Sequence, residues 1–92
     1  MRVVWTEPAL DAIQQAYDYL YSFNPRAAMH VAVALIDAGN SLEHLPDRGR
    51  AVPRTAYREL VTAYPYVIRY RVAGDEVVIT RVRHTARQPT TL

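Results

Sequence analysis

The sequence predicts an α+β fold of order β-α-α-β-β-β, an N-terminal helical hairpin packed on one face of a small, mainly antiparallel sheet. Three observations predict it. Two stretches with helical spacing of apolar residues, 8–21 and 25–44, are separated by the punctuation Ser22-Phe23-Asn24-Pro25. Two runs of β-formers, Tyr66–Val72 and Val77–Val82, flank Ala73-Gly74-Asp75-Glu76, a tight-turn sequence between strands. A short opening strand, Met1–Thr6, places Val3 and Trp5 on one face and Val4 on the other.

The elements follow in order. Thr6 is the expected N-cap of the first helix, whose apolar stripe is Leu10, Ile13, Tyr17 and Leu20, opposite Asp11, Gln14, Gln15 and Asp18. Asn24 caps the second helix and Pro25 fits its first turn, where a missing N–H costs nothing. Its stripe is Ala28, Ala32, Leu35, Gly39 and Leu42, running to about His44. Gly39 weakens a helix by ~1 kcal/mol relative to Ala; it lets the first helix approach closely, or marks a break at Gly39-Asn40. Tyr17, Tyr19 and Tyr21 read as core and rim of the hairpin, while Met29, Val33 and Ile36 form a second flank suited to a partner protein or a second copy. Leu45–Thr55, with two prolines and a glycine, reads as a loop whose Arg48, Arg50 and Arg54 are solvated charges. Tyr57–Val61 is a short strand, Thr62–Pro65 a turn, and the polar tail after His84 is expected to be poorly ordered without a partner.

Composition narrows the function classes. Ninety-two residues, half of them apolar, suit one domain spanning 1–92. Cysteine is absent, which removes disulfides and thiolate metal sites, and His30, His44 and His84 lack ligand spacing, so neither a metal nor a cofactor is expected. With no long apolar run and no leader pattern, the expectation is a soluble, cytoplasmic protein without a membrane partner. The net charge of +2 conceals an asymmetry: residues 1–47 hold two arginines against six acids, residues 48–92 nine arginines against three. That pattern suits one basic working surface and an acidic partner, nucleic acid or protein. Every cation is an arginine, a planar guanidinium suited to bidentate contacts with phosphate or carboxylate.

With Gly74-Asp75 as a two-residue turn, Val72 pairs with Val77, Arg71 with Val78, Tyr70 with Ile79 and Arg69 with Thr80. The face toward the helices is then Tyr66, Ile68, Tyr70, Val72, Val77 and Ile79. The open face is Val67, Arg69, Arg71, Val78, Thr80, Val82 and His84, with Arg81 and Arg83 on the helix side near the strand end. A slip of one residue exchanges the sets.

The chain resembles the RelE/ParE superfamily of toxins from bacterial type II toxin–antitoxin modules. The resemblance runs through Trp5, Ala9-Leu10-x-x-Ile13, Asn24-Pro25-x-Ala27-Ala28, Leu45-Pro46-x-x-Gly49-Arg50, Arg58-Glu59-Leu60, Tyr66-Val67-Ile68-x-Tyr70-Arg71-Val72 and Arg81-Val82-x-His84-x-x-Arg87. It implies a plasmid-stabilisation toxin that arrests growth. A cognate antitoxin would neutralise it by bringing an acidic, partly disordered segment into a hetero-oligomer. RelE-like members cleave mRNA on the ribosome without metal; ParE-like members inhibit DNA gyrase. Val67 stands where RelE-like chains place an arginine, lysine is absent, and no tyrosine follows Tyr70. The His84-x-x-Arg87 ending resembles the ParE subgroup, which implies a gyrase inhibitor with no turnover. The alternative is a ribosome-dependent endonuclease, whose candidate set is His84, Arg69, Arg58 and Arg81, with Glu59 the only strand carboxylate beside them. A non-toxic or attenuated binding module is the third reading. The residues expected to bind target or antitoxin are Arg58, Arg69, Arg71, Arg81, Arg83, His84 and Arg87.

Overall fold

A computed structural model describes residues 1–86. The order is β1 (Arg2–Trp5), α1 (Glu7–Tyr21), α2 (Pro25–Asn40), a 3-10 turn (Ser41–Glu43), β2 (Arg50–Ala51), β3 (Tyr57–Val61), β4 (Tyr66–Ala73) and β5 (Glu76–His84). The five strands form one sheet in the order β1-β5-β4-β3-β2, with β1 parallel to β5 and the other pairs antiparallel. The predicted α+β arrangement is the observed one, with an added two-residue strand. Arg50 and Ala51 pair with Glu59 and Arg58, so the segment expected to be all loop contributes the sheet's outermost strand.

The core lies between the helical hairpin and one face of the sheet. Ala9, Ile13, Ala16, Val31 and Leu35 meet Leu60, Tyr66, Ile68, Tyr70, Val77, Ile79 and Val82, with Leu42 closing one end. The stripe of α1 keeps Ile13 and Leu20 of the expected set but shifts by one position at the other two. Ala9 and Ala16 flank Ile13, whereas Leu10 is 48% exposed. Small side chains facing inward let the helix sit closer than leucine allows, and burial is decided by that contact, not by residue hydrophobicity. At the other extremity Val72, expected under the helices, is exposed at the hairpin tip.

The helix starts differ in kind. Asn24 Oδ1 accepts hydrogen bonds from the N–H groups of Arg26 and Ala27, both at 3.1 Å, as the sequence predicts. Thr6 holds the N-cap position of α1, but its hydroxyl donates to the Ile79 carbonyl at 2.8 Å, tying the helix start to β5. The hairpin turn places Gly74 at φ +62°, a conformation that favours glycine.

Gly39 makes a close approach, though to the sheet and not to α1. A Cβ there would lie 2.3 Å from the Trp5 ring and 2.9 Å from Ile79 Cδ1, and Trp5 Nε1 donates to Asn40 Oδ1 at 2.9 Å. In an open helix Gly→Ala stabilises by about 1 kcal/mol, but overpacking a rigid ring against a core costs about 1–3 kcal/mol. Gly39→Ala is therefore expected to lower stability, read as a lower urea midpoint at unchanged slope. A rise in midpoint would show that the indole can retreat.

Candidate functional site

The β4–β5 register departs from strict alternation at one point. Val72, Arg71 and Tyr70 pair with Val77, Val78 and Ile79 as expected, but Arg69 faces Arg81, not Thr80. Thr80 is an extra residue, a β-bulge, and its hydroxyl donates to the Arg69 carbonyl at 3.3 Å. Every later residue of β5 is thereby exchanged between faces. Val82 enters the core, 3% exposed, and His84 follows it to the helix side. Arg81 and Arg83 move to the open face, the reverse of the expectation for all four residues.

The open face thus gathers Arg50 from β2, Tyr57 and Glu59 from β3, Arg69 and Arg71 from β4, and Arg81 and Arg83 from β5. Val67 lies among them, buried between its cross-strand neighbours Val61 and Arg83. Glu59, 8% exposed, is the carboxylate that organises the group. Its Oε2 accepts from Arg69 Nε at 3.2 Å and Nη2 at 2.9 Å, and lies 3.6 Å from Arg83 Nη2. The Arg69 guanidinium also stands 5.4 Å from the centre of the Tyr57 ring, a cation–π contact. Arg71 and Arg81 form no ion pair among the described residues. One acid against five guanidiniums leaves the face strongly cationic, able to hold carboxylate or phosphate.

Two expected site residues stand elsewhere. Arg58 points to the opposite side of β3, where Nη1 donates to the Gly49 carbonyl at 2.7 Å and Nη2 lies 3.7 Å from Asp47. There it secures the 45–50 loop. His84 packs edge-on against Tyr66, ring centres 5.0 Å apart, beside α1. Arg87 lies outside the described residues, as does the tail beyond Ala86. Arg50, read as a solvated loop charge, joins the face because it pairs with Glu59 in the sheet. One signal for the bulge was present in the chain: Val77 and Ile79 are two apart, but the next core residue, Val82, comes three later.

Behind the site, Tyr70 fixes the loop that carries β2. Its buried hydroxyl accepts from the Gly49 N–H at 2.8 Å and donates to the Pro46 carbonyl at 2.7 Å. A Cβ on Gly49 would fall 2.7 Å from the Tyr70 ring. Burial raises the pKa of this phenol above its ordinary value of 10.0, the Gly49 N–H opposing in part.

The profile of the family described as "ParE toxin of type II toxin-antitoxin system, parDE" matches residues 3–89. The chain belongs to the ParE toxin family. Its sequence relatives include Toxin RelE2 of Caulobacter vibrioides, 48% identical over 94% of this chain and 97% of that one. Toxin RelE1 of the same organism is 40% identical over 76% and 77%, and Putative toxin Y4kP of Sinorhizobium fredii is 34% identical over 95% and 91%. A solved structure described as "Chromosomal ParDE TA system from P. aeruginosa" superposes with a TM-score of 0.84 over 91% of this chain and 95% of that chain. At 23% identity that likeness concerns the fold. The protein is a toxin of a type II toxin–antitoxin system, and its described residues include no helix long and apolar enough to cross a membrane.

Tyr70→Phe is expected to cost the toxin about 1–3 kcal/mol at neutral pH, because the Gly49 N–H loses its buried acceptor. The pH dependence has a definite sign. A phenol whose folded pKa lies above its unfolded value stabilises fully below about pH 10, and that share is lost as pH climbs through the folded value. Urea titrations at neutral and alkaline pH are expected to show the gap between wild type and variant narrowing as pH rises. A constant gap would mean that the phenol titrates alike in both states.

Proposed function

We propose that this toxin binds and inhibits DNA gyrase without turnover, in the cytoplasm, and that a cognate antitoxin with an acidic segment neutralises it. The observation that carries this reading is the division of the nuclease candidates between two faces. Metal-free RNA cleavage needs a base, an acid and phosphate-binding cations around one scissile bond. Arg69 and Arg81 are on the open face, whereas His84 is packed against Tyr66 and Arg58 is turned toward the 45–50 loop. What remains together is an arginine cluster whose one carboxylate, Glu59, is already engaged by Arg69 and Arg83, a surface suited to gripping an acidic partner. The antitoxin partner is supported by family membership and by the ParDE system of the matched structure.

The residues proposed to contact gyrase or antitoxin are Arg69, Arg71, Arg81 and Arg83, with Arg87 of the tail a further candidate. Purified toxin is expected to block supercoiling by gyrase in vitro. Arg71→Glu and Arg81→Glu should each weaken inhibition by about tenfold or more, since facing like charges at an interface costs more than 1.4 kcal/mol. His84→Ala, with its fold checked by circular dichroism, should inhibit within about threefold of wild type, under 1 kcal/mol. Unimpaired gyrase together with cleavage of mRNA on translating ribosomes, lost in Arg69→Ala, would establish the nuclease alternative. Absence of growth arrest on expression without antitoxin would leave the binding-module reading.

A further inference from the structure

The second helix carries two apolar stripes, and the core covers one of them. Ala28, Val31, Leu35 and Gly39 are buried. Met29, Val33 and Ile36, on another side of the helix, remain exposed. With Arg26 before them and Asn40 after them, they recur along α2 at steps of three, four, three and four residues. That rhythm draws a narrow seam down one side of a helix, the pattern by which one helix packs against a second. Isolated apolar residues on a surface are ordinary, but a row of them in register marks a face made for contact.

The charges at the two ends of the seam identify its occupant. Arg26 stands near the N-terminus of α2, and Asp37, directly after Ile36, near its C-terminus. Both are exposed, and neither forms an ion pair among the described residues. At about 1.5 Å per residue they lie roughly 16 Å apart along the axis, beyond each other's reach. A second α2 laid antiparallel brings Arg26 of each copy beside Asp37 of the other. In the same register Met29 meets Val33 of the opposite copy, the Arg26 stem lies on Ile36, and the twofold axis passes beside Val31. The helix runs from Pro25 to Asn40, so this register overlaps most of its length. Charge pairing and apolar pairing therefore coincide.

We propose that the toxin self-associates through this seam, as a twofold dimer of antiparallel α2 helices. A second copy fits because a twofold contact must be self-complementary, and this seam is apolar with one charge of each sign, placed at opposite ends. An acidic antitoxin segment would match Arg26 but face Asp37. The helices cover the sheet face opposite the arginines, so a dimer made through α2 leaves both cationic faces open. The contact is the same whichever partner those faces hold. One helix pair buries little surface, so the association is weak and depends on concentration.

Sedimentation velocity of purified toxin, over a roughly hundredfold range of micromolar concentrations, should show monomer passing to dimer. Arg26→Asp and Asp37→Arg should each weaken dimerisation by about tenfold or more, since each sets like charges face to face at both symmetry-related places. Both changes suit the helix dipole, an acid near the N-terminus and a base near the C-terminus, so both variants should fold, as circular dichroism would verify. Mixed in equal amounts, they should associate within about threefold of wild type, because both pairs in the heterodimer again carry opposite charges. Wild-type toxin that stays monomeric, single variants that dimerise like wild type, or a mixture that fails to associate would each overturn the proposal. Monomeric toxin whose antitoxin binding is lost in Val33→Glu would also overturn it, and would give the seam to the antitoxin.

Discussion

The extra residue at Thr80 is the constraint on which the working surface depends. Without it β5 would carry Arg81 and Arg83 beneath the helices and turn Val82 toward solvent. Burying an unpaired guanidinium costs several kcal/mol, whereas a bulge disturbs a ladder bond of about 1 kcal/mol. The bulge is the cheaper solution by a wide margin. It sits beside the point where β1 departs, so the sheet bends where its edge is already open. One irregularity thus places Val82 in the core and both arginines with Arg69 and Arg71 on the open face, and the same departure of β1 leaves an edge with a groove beside it.

A cluster of guanidiniums on adjacent strands repels itself, and Glu59 is what makes the arrangement tolerable. Its nearly buried carboxylate, on β3, reaches Arg69 on the adjacent β4 and Arg83 on β5 beyond it. The pairing holds two arginines in fixed positions without cancelling the face, because Arg50, Arg71 and Arg81 form no ion pair among the described residues. An arrangement held this way is prepared for a multivalent acidic partner, since less side-chain entropy is lost on binding. Arg58 and Tyr70 act from the other side of the sheet. They hold the 45–50 loop, and through it β2, which brings Arg50 to the face.

Small residues set the distances. Gly39 admits the Trp5 ring, Gly49 admits the Tyr70 phenol, and Ala9 and Ala16 bring α1 down onto the sheet. The same economy on α1, with Ala12 and Ala16 lining a cleft, leaves space next to β5 that larger side chains would fill. Close packing in one place and vacancy in another have the same origin in a helix rich in alanine.

Much of the architecture was legible in the chain, because helices, caps and hairpins follow from interactions within a few residues. The Asn24-Pro25 start of α2, the Gly74-Asp75 turn and the pairing of Val72, Arg71 and Tyr70 with Val77, Val78 and Ile79 are of this kind. The family resemblance, carried by order and spacing along the whole chain, was legible too. The stripe of α1 and the contact of Gly39 were not, since both depend on which partner each residue meets across the core. Nor were the sides taken by Arg81, Val82, Arg83 and His84. The three-residue step from Ile79 to Val82 hinted at a phase change, yet Thr80 is an ordinary strand former, and nothing local distinguishes a bulged threonine from a paired one. By itself the sequence determined the elements, their order and an excess of arginine in its second half, because propensity, periodicity and charge are local properties. Only the tertiary structure decided which arginines share a surface, because facing is a matter of register between strands, and one inserted residue reverses it.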